Sequence, residues 1–264
     1  MNLNEMAAFY REHGYLLAEG LLTPAEVEAM REEADATIER MSRHQQDANN
    51  LWKGNWLKDE ERAQQRLNAV HDMQFQAAIF GKLLFNDKLL DIAEALIGPN
   101  VQLHHTKMLA KPPEKGGAFP MHQDYPYFPH QNHTMFAVSI YLDDADEENG
   151  CIRVMPGSHK LGPLECDPGG FYLPPEKYPI EEGLPVKAKA GDGVIFNYLT
   201  IHGSSPNRSG RPRRNILIQM RDPSDPPTRD IHASRGQGLM LRGINPVPVP
   251  AAWAAERKAA AGVS

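Results

Sequence analysis

Residues 193–220, GVIFNYLTIHGSSPNRSGRPRRNILIQM, hold two short apolar runs, 193–199 and 214–220, on either side of a polar, turn-rich stretch. Both runs are rich in β-branched and aromatic residues and short for helices, which predicts strands. Within 213–220, Arg213, Asn215, Leu217 and Gln219 fall on one face, and Arg214, Ile216, Ile218 and Met220 on the other. The second face predicts packing against helices. The first is mixed and polar with an arginine at its mouth, which suits a cavity receiving a dicarboxylate, since a guanidinium pairs with a carboxylate through two bonds. A solvated edge ion pair is the plainer alternative for Arg213.

Working outward, VQLHHTKMLA (101–110), TMFAVSIYL (134–142) and CIRVM (151–155) share this character, and Gly, Pro, Asn and Asp clusters separate them. The first hundred residues read as helical. Thr23-Pro24-Ala25-Glu26 carries a cap residue, a proline at the first helical position and a glutamate three after the cap. Val27, Met30, Ala34, Ile38 and Met41 follow on one helical face, and residues 87–97 repeat the pattern before Gly98-Pro99. Helices followed by many short strands predict an α+β, mainly β chain, an antiparallel sandwich or barrel buttressed by N-terminal helices. We read 1–264 as one domain: a helical part to about 100, a core over about 101–222 and a surface tail over 245–264. Polar segment 45–70, with Trp52 and Trp56, is a candidate lid.

The 28 basic and 34 acidic side chains give a net charge of −6 and a pI near 6.0, which argues against a nucleic-acid partner. No apolar run reaches the roughly 18 residues of a membrane span, and the first twenty residues lack a signal peptide's basic start and apolar centre. Cys151 and Cys166 are too few for a disulfide framework or a thiolate metal site. These features predict a cytoplasmic protein.

Chemistry points to histidine. His122-Gln123-Asp124 sets an imidazole and a carboxylate on one face of an extended segment, and His202 follows the strand at 193–199. Two neutral imidazoles and one carboxylate form the facial triad of non-haem Fe(II) oxygenases, which leaves coordination positions open. His-x-Asp alone also fits a hydrogen-bonded surface or core pair.

KPPEKGGAFPMHQDYPYF (111–128), NGCIRVMPGSHK (149–160), GDGVIFNYLTIHGSSPN (191–207) and PRRN (212–215) together resemble the phytanoyl-CoA dioxygenase family, over roughly residues 5–222. The resemblance implies a double-stranded β-helix, the jelly-roll of cupin-like proteins, and an oxygenase using Fe(II), 2-oxoglutarate and O2. It implies that His122, Asp124 and His202 bind the iron and that Arg213 holds the distal carboxylate of 2-oxoglutarate. Lys111 stands where ectoine hydroxylases carry a lysine near that cosubstrate, and Ser204 offers a further hydrogen bond. Ile140 falls where phytanoyl-CoA hydroxylases carry a tryptophan. A carboxylate at Asp124 favours hydroxylation, because related halogenases need a small residue there to admit chloride.

Other residues have open roles. Tyr125, Tyr127 and Phe128 line a substrate pocket or close the barrel as an apolar cluster. By alternation His105 shares a face with Lys107, Leu109 and Lys111, so it faces the pocket or serves as a structural histidine. Arg153 suits either an internal ion pair or a substrate anion. Gln123 and Asn197 are candidates to support the metal donors. His130 and His133, in a polar loop, are expected to face solvent, and the acidic run 143–148 to be a solvated turn. The leading function is hydroxylation of a small metabolite, such as an amino-acid derivative or natural-product intermediate, with release of succinate and CO2. A metal-dependent cupin-like isomerase or lyase would leave Arg213 and Lys111 without a shared task. A non-catalytic jelly-roll binding protein would not need three metal donors. A CoA thioester would call for a basic surface, for which Arg208–Arg214 and Arg229–Arg235 are the candidates.

Overall fold

The computed structural model describes residues 1–43, 49–50, 67–167, 171–229 and 234–246. Trp52, Trp56, the tail from 247 and part of Arg229–Arg235 lie outside the described residues. Helix α1 (Leu3–His13) opens on a reciprocal cap between Asn2 and Glu5 and closes at Gly14, whose φ of +76° suits glycine. A Cβ at Gly14 would also strike His159 and Thr200. Strand β1 (Tyr15–Ala18) follows, then α2 (Pro24–Arg43), where Glu26 accepts from the Thr23 amide as the sequence predicts. After β2 (Asn49–Asn50) and β3 (Leu67–His71) come α3 (Ala78–Leu83) and α4 (Asp87–Ile97), the latter capped by Asn86 and ended at Gly98.

The remaining strands are β4 (Val101–Lys111), β5 (Phe119–His122), β6 (Phe136–Tyr141), β7 (Ile152–Val154), β8 (Leu184–Pro185), β9 (Gly193–Asn197), β10 (His202–Ser204), β11 (Arg213–Arg221) and β12 (Met240–Arg242). They form a larger antiparallel sheet ordered β1-β9-β6-β11-β4-β3-β2, with β12 also on β4, and a smaller one ordered β5-β10-β7-β8. Two facing antiparallel sheets with helices on one side are the expected jelly-roll. The reading of the first hundred residues as helical needs amending: β1 pairs with β9 and β3 with β4, so this region supplies sheet edges as well. No helix among the described residues is long and apolar enough to cross a membrane.

The register of β11 decides what faces inward. Its Ile216, Ile218 and Met220 join Val27, Met30 and Leu89 in the main hydrophobic cluster beneath the helices, as the alternation predicts. Arg213, Asn215, Leu217 and Gln219 look the other way and stand opposite Lys111, Leu109, Lys107 and His105 of β4. Phe196, Val194, Ile152 and Val154 fill the space between the sheets beside them.

Candidate active site

His122 and His202 are direct cross-strand partners in β5 and β10, with ring centroids 4.3 Å apart. The strand ends at His122, so Asp124 does not share its face through extended backbone, as the sequence reading assumed. Asp124 instead enters a helical turn (φ −75°, ψ −18°), fixed by its amide donating to the Tyr198 carbonyl at 2.8 Å. That turn swings the carboxylate beneath the imidazoles. Asp124 Oδ1 lies 3.7 Å from His122 Nε2 and 3.8 Å from His202 Nε2, too far for hydrogen bonds. One donor atom from each of the three falls within 4.8 Å of the others.

Both rings present the nitrogen a metal needs. His122 Nδ1 lies 2.7 Å from the Pro120 carbonyl and His202 Nδ1 2.9 Å from the Thr200 carbonyl, so each Nδ1 carries the proton and each Nε2 a lone pair. Burial, then the neighbouring His202, pushes His122 down to about 3 against the pull of Asp124; burial also lowers His202. Neutral imidazoles are the ligand form. The Gln219 amide donates to Asp124 Oδ2 at 2.9 Å, and Gln219 Oε1 meets His105 Nδ1 at 3.3 Å, whose Nε2 meets His71 Nδ1 at 3.0 Å. Gln123 binds the carbonyls of Gly162 and Leu199 and accepts from the Leu164 amide, which ties the His122–Asp124 segment to the turn before His202. From the far side, the Gly14 carbonyl accepts from Thr200 Oγ1 at 2.7 Å and from the Asn197 amide at 2.9 Å.

The triad opens onto a cavity of about 450 Å³, its mouth included, lined by Lys107, Leu109, Phe119, Ser139, Ile152, Phe196, Ser204, Arg213, Asn215 and Leu217. Arg213 is 2% exposed yet has no carboxylate partner among the described residues. Two of its nitrogens donate to the Gly150 carbonyl and to Asn215 Oδ1; its Nε is buried with no partner. A buried guanidinium without a counter-ion is costly, so its surroundings fit an incoming carboxylate. Lys111, fully buried beside it, donates to Ser204 Oγ at 2.7 Å, which turns the Ser204 hydroxyl proton toward other acceptors. Burial, then Arg213, holds the Lys111 ammonium well below the usual lysine range. These residues fit a divalent metal at the triad and a dicarboxylate reaching to Arg213.

Several other candidates fall elsewhere. Ile140 lies on the opposite face of β6, in the cluster beneath the helices; Ser139 and Tyr141 face inward, and the Tyr141 ring lies 5.8 Å from the Arg213 guanidinium. Arg153 points away from the cavity and binds the Gly183 carbonyl and Glu147, which makes it an ion-pair residue. Phe128 packs with Met135, Tyr198 and Leu199, with Tyr125 and Tyr127 alongside, so these aromatics form the apolar cluster and not the cavity wall. His105 does not line the cavity; it holds Gln219. Asn197 accepts from the Leu199 amide and shapes the turn without touching the triad. His130 is 2% exposed, contrary to expectation, because buried Asp225 binds the backbone of its loop at Asn132 and Thr134. Gln219 and Lys107 were placed on the cavity face by alternation, but nothing in their spacing singled them out.

A family model for phytanoyl-CoA dioxygenase matches residues 10–215. The peroxisomal phytanoyl-CoA dioxygenase of Bos taurus is 28% identical over 248 residues, which cover 83% of this chain and 68% of that protein. A probable alpha-ketoglutarate-dependent hypophosphite dioxygenase of Stutzerimonas stutzeri is 32% identical over 145 residues, 52% of this chain and 50% of that protein. The chain thus spans about two thirds of the first relative's length and half of the second's. Among solved structures, the non-heme alpha ketoglutarate dependent carbocyclase SnoK from nogalamycin biosynthesis has the same fold, with a TM-score of 0.70 and 23% identity over 91% of this chain and 94% of that one.

Proposed function

The chain belongs to the phytanoyl-CoA dioxygenase family, and we propose that it is an iron(II)- and 2-oxoglutarate-dependent dioxygenase that hydroxylates an aliphatic C–H bond of a small metabolite. One observation carries this reading: two neutral imidazoles and Asp124 converge beside a buried guanidinium that lacks a carboxylate partner. With iron and 2-oxoglutarate bound, metal and cosubstrate supply the oxidising power, with release of succinate and CO2. The chain supplies the rest. His122 and His202 offer Nε2 because backbone carbonyls hold their Nδ1 protons. Gln219 occupies Asp124 Oδ2, which leaves Oδ1 facing the histidines. Arg213 receives the distal carboxylate, with Lys111 and Ser204 at the same end. Leu109, Phe119, Ile152, Phe196 and Leu217 make the walls apolar and limit water.

Ion pairing on the surface favours a small substrate over a CoA thioester. Arg211 is bound to Asp146 and Glu148, Arg214 to Asp143 and Asp35, and Arg213 faces inward. The basic run 208–214 therefore has little charge to spare for phosphates. The test is anaerobic loading with Fe(II), followed by 2-oxoglutarate, O2 and candidate metabolites. The expected result is succinate formed in step with 2-oxoglutarate loss and a product heavier by one oxygen, both absent in Asp124→Ala. Wild-type protein that neither binds iron nor forms succinate would overturn the reading.

A further inference from the structure

Lys107 stands on the inward face of β4, half-buried, in the cavity that holds the triad. Among the described residues its side-chain ammonium makes no hydrogen bond or ion pair. Asp124 is the charge that acts on it most, and Lys107 in turn bears on both histidines, so its ammonium lies in the field of the donor set. Lys111 and Arg213 are cross-strand partners at one end of this face, while Lys107 pairs with Leu217 four residues along β4, about 13 Å away by strand spacing. The cavity therefore has two separate cationic positions. Charge shows which is unassigned. A divalent iron and Asp124 leave one positive charge, Arg213 adds one, and dianionic 2-oxoglutarate cancels both, while Lys111, whose charged form burial and Arg213 disfavour, is already bound to Ser204 and the Ser205 carbonyl at that end. Lys107 lies outside that pairing; burial works against its charged form and Asp124 supports it, so an anion beside it is favoured far more than in water.

We propose that Lys107 anchors an oxyanion of the primary substrate, so that the substrate class is a small carboxylic acid or similar anion whose reacting C–H lies between Lys107 and the His122–Asp124–His202 donors. This rests on the oxygenase reading and deepens it. A lysine suits the task because its ammonium is a point charge on a flexible stem that accepts anions of varied shape.

The experiment uses a panel of short aliphatic acids and amino acids, each paired with its primary amide. Two readouts are taken on wild type, Lys107→Met and Lys107→Arg: the melting temperature of protein loaded with Zn(II) and 2-oxoglutarate, and succinate release with Fe(II). We expect at least one acid to raise the wild-type melting temperature and speed succinate release, with its amide doing neither. Lys107→Met should weaken that acid about tenfold or more, with the KM for 2-oxoglutarate within about twofold of wild type, and Lys107→Arg should restore the response. The proposal is overturned if amides act as well as acids, if wild type binds no acid, or if Lys107→Met raises the KM for 2-oxoglutarate instead. A Lys107-dependent melting shift without any 2-oxoglutarate consumption would remove the oxygenase reading and leave the anion site standing.

Discussion

Gln219 determines which oxygen of Asp124 is free for a metal. Its amide occupies Oδ2, and its own orientation is set by His105 and, behind that, His71. Replacing Gln219 with Leu leaves that oxygen without its donor and lets the carboxylate rotate. Iron(II) affinity should fall about tenfold to a hundredfold, read by anaerobic metal titration, while the affinity for 2-oxoglutarate of protein saturated with metal changes little. The sequence could reveal the donors because their chemistry is rare: two imidazoles and an acid near turn and strand signals. It could not reveal Gln219, since glutamine has no preferred role and only the pairing of β11 with β4 brings it to His105. Ile140 shows the limit of counting from a motif. In a strand, an error of one residue exchanges the faces, and Ser139 and Tyr141 took the inward positions.

Long strands were legible and short ones were not. β4 and β11 run for eleven and nine residues, enough for alternation to identify both faces. β5 and β10, which carry the two histidines, have four and three residues and include Pro120 and Gly203, so they show no usable period. Their pairing depends on contacts remote in the chain. The loop 129–135 between β5 and β6 makes the same point: its polarity suggested exposure, and Gln131 and Asn132 are exposed, yet His130 is buried where Asp225 ties the loop down. That carboxylate accepts from the Asn132 amide at 2.7 Å, the Thr134 amide at 2.9 Å and Thr134 Oγ1 at 2.8 Å, and it is fully buried. Asp225→Ala strands these donors and should cost roughly 3 kcal/mol. A lower urea midpoint with metal affinity retained is the expected measurement.

Across the molecule, the two sheets meet at the triad. His122 and His202 belong to the smaller sheet, while Gln219 of the larger sheet holds Asp124. A metal there binds the folded chain and not the unfolded one, so it should stabilise the whole unit. At a hundred times its dissociation constant, Zn(II) should add about 2.7 kcal/mol, or roughly 5–10 °C in melting temperature for a chain of this size. Scanning calorimetry should show that rise in wild type and its loss in Asp124→Ala. The acidic run 143–148 is exposed at Asp144, Glu147 and Glu148, as expected of a solvated turn, and is also laced to Arg31, Arg153, Lys187, Lys189, Arg211 and Arg214. One further contact joins distant parts of the chain. Gly14, at the end of the first helix, fastens the bend that delivers His202. A purification tag placed ahead of Met1 leaves that clasp alone, whereas trimming the chain back to Tyr15 would loosen a third of the donor set through a residue 186 positions before Thr200.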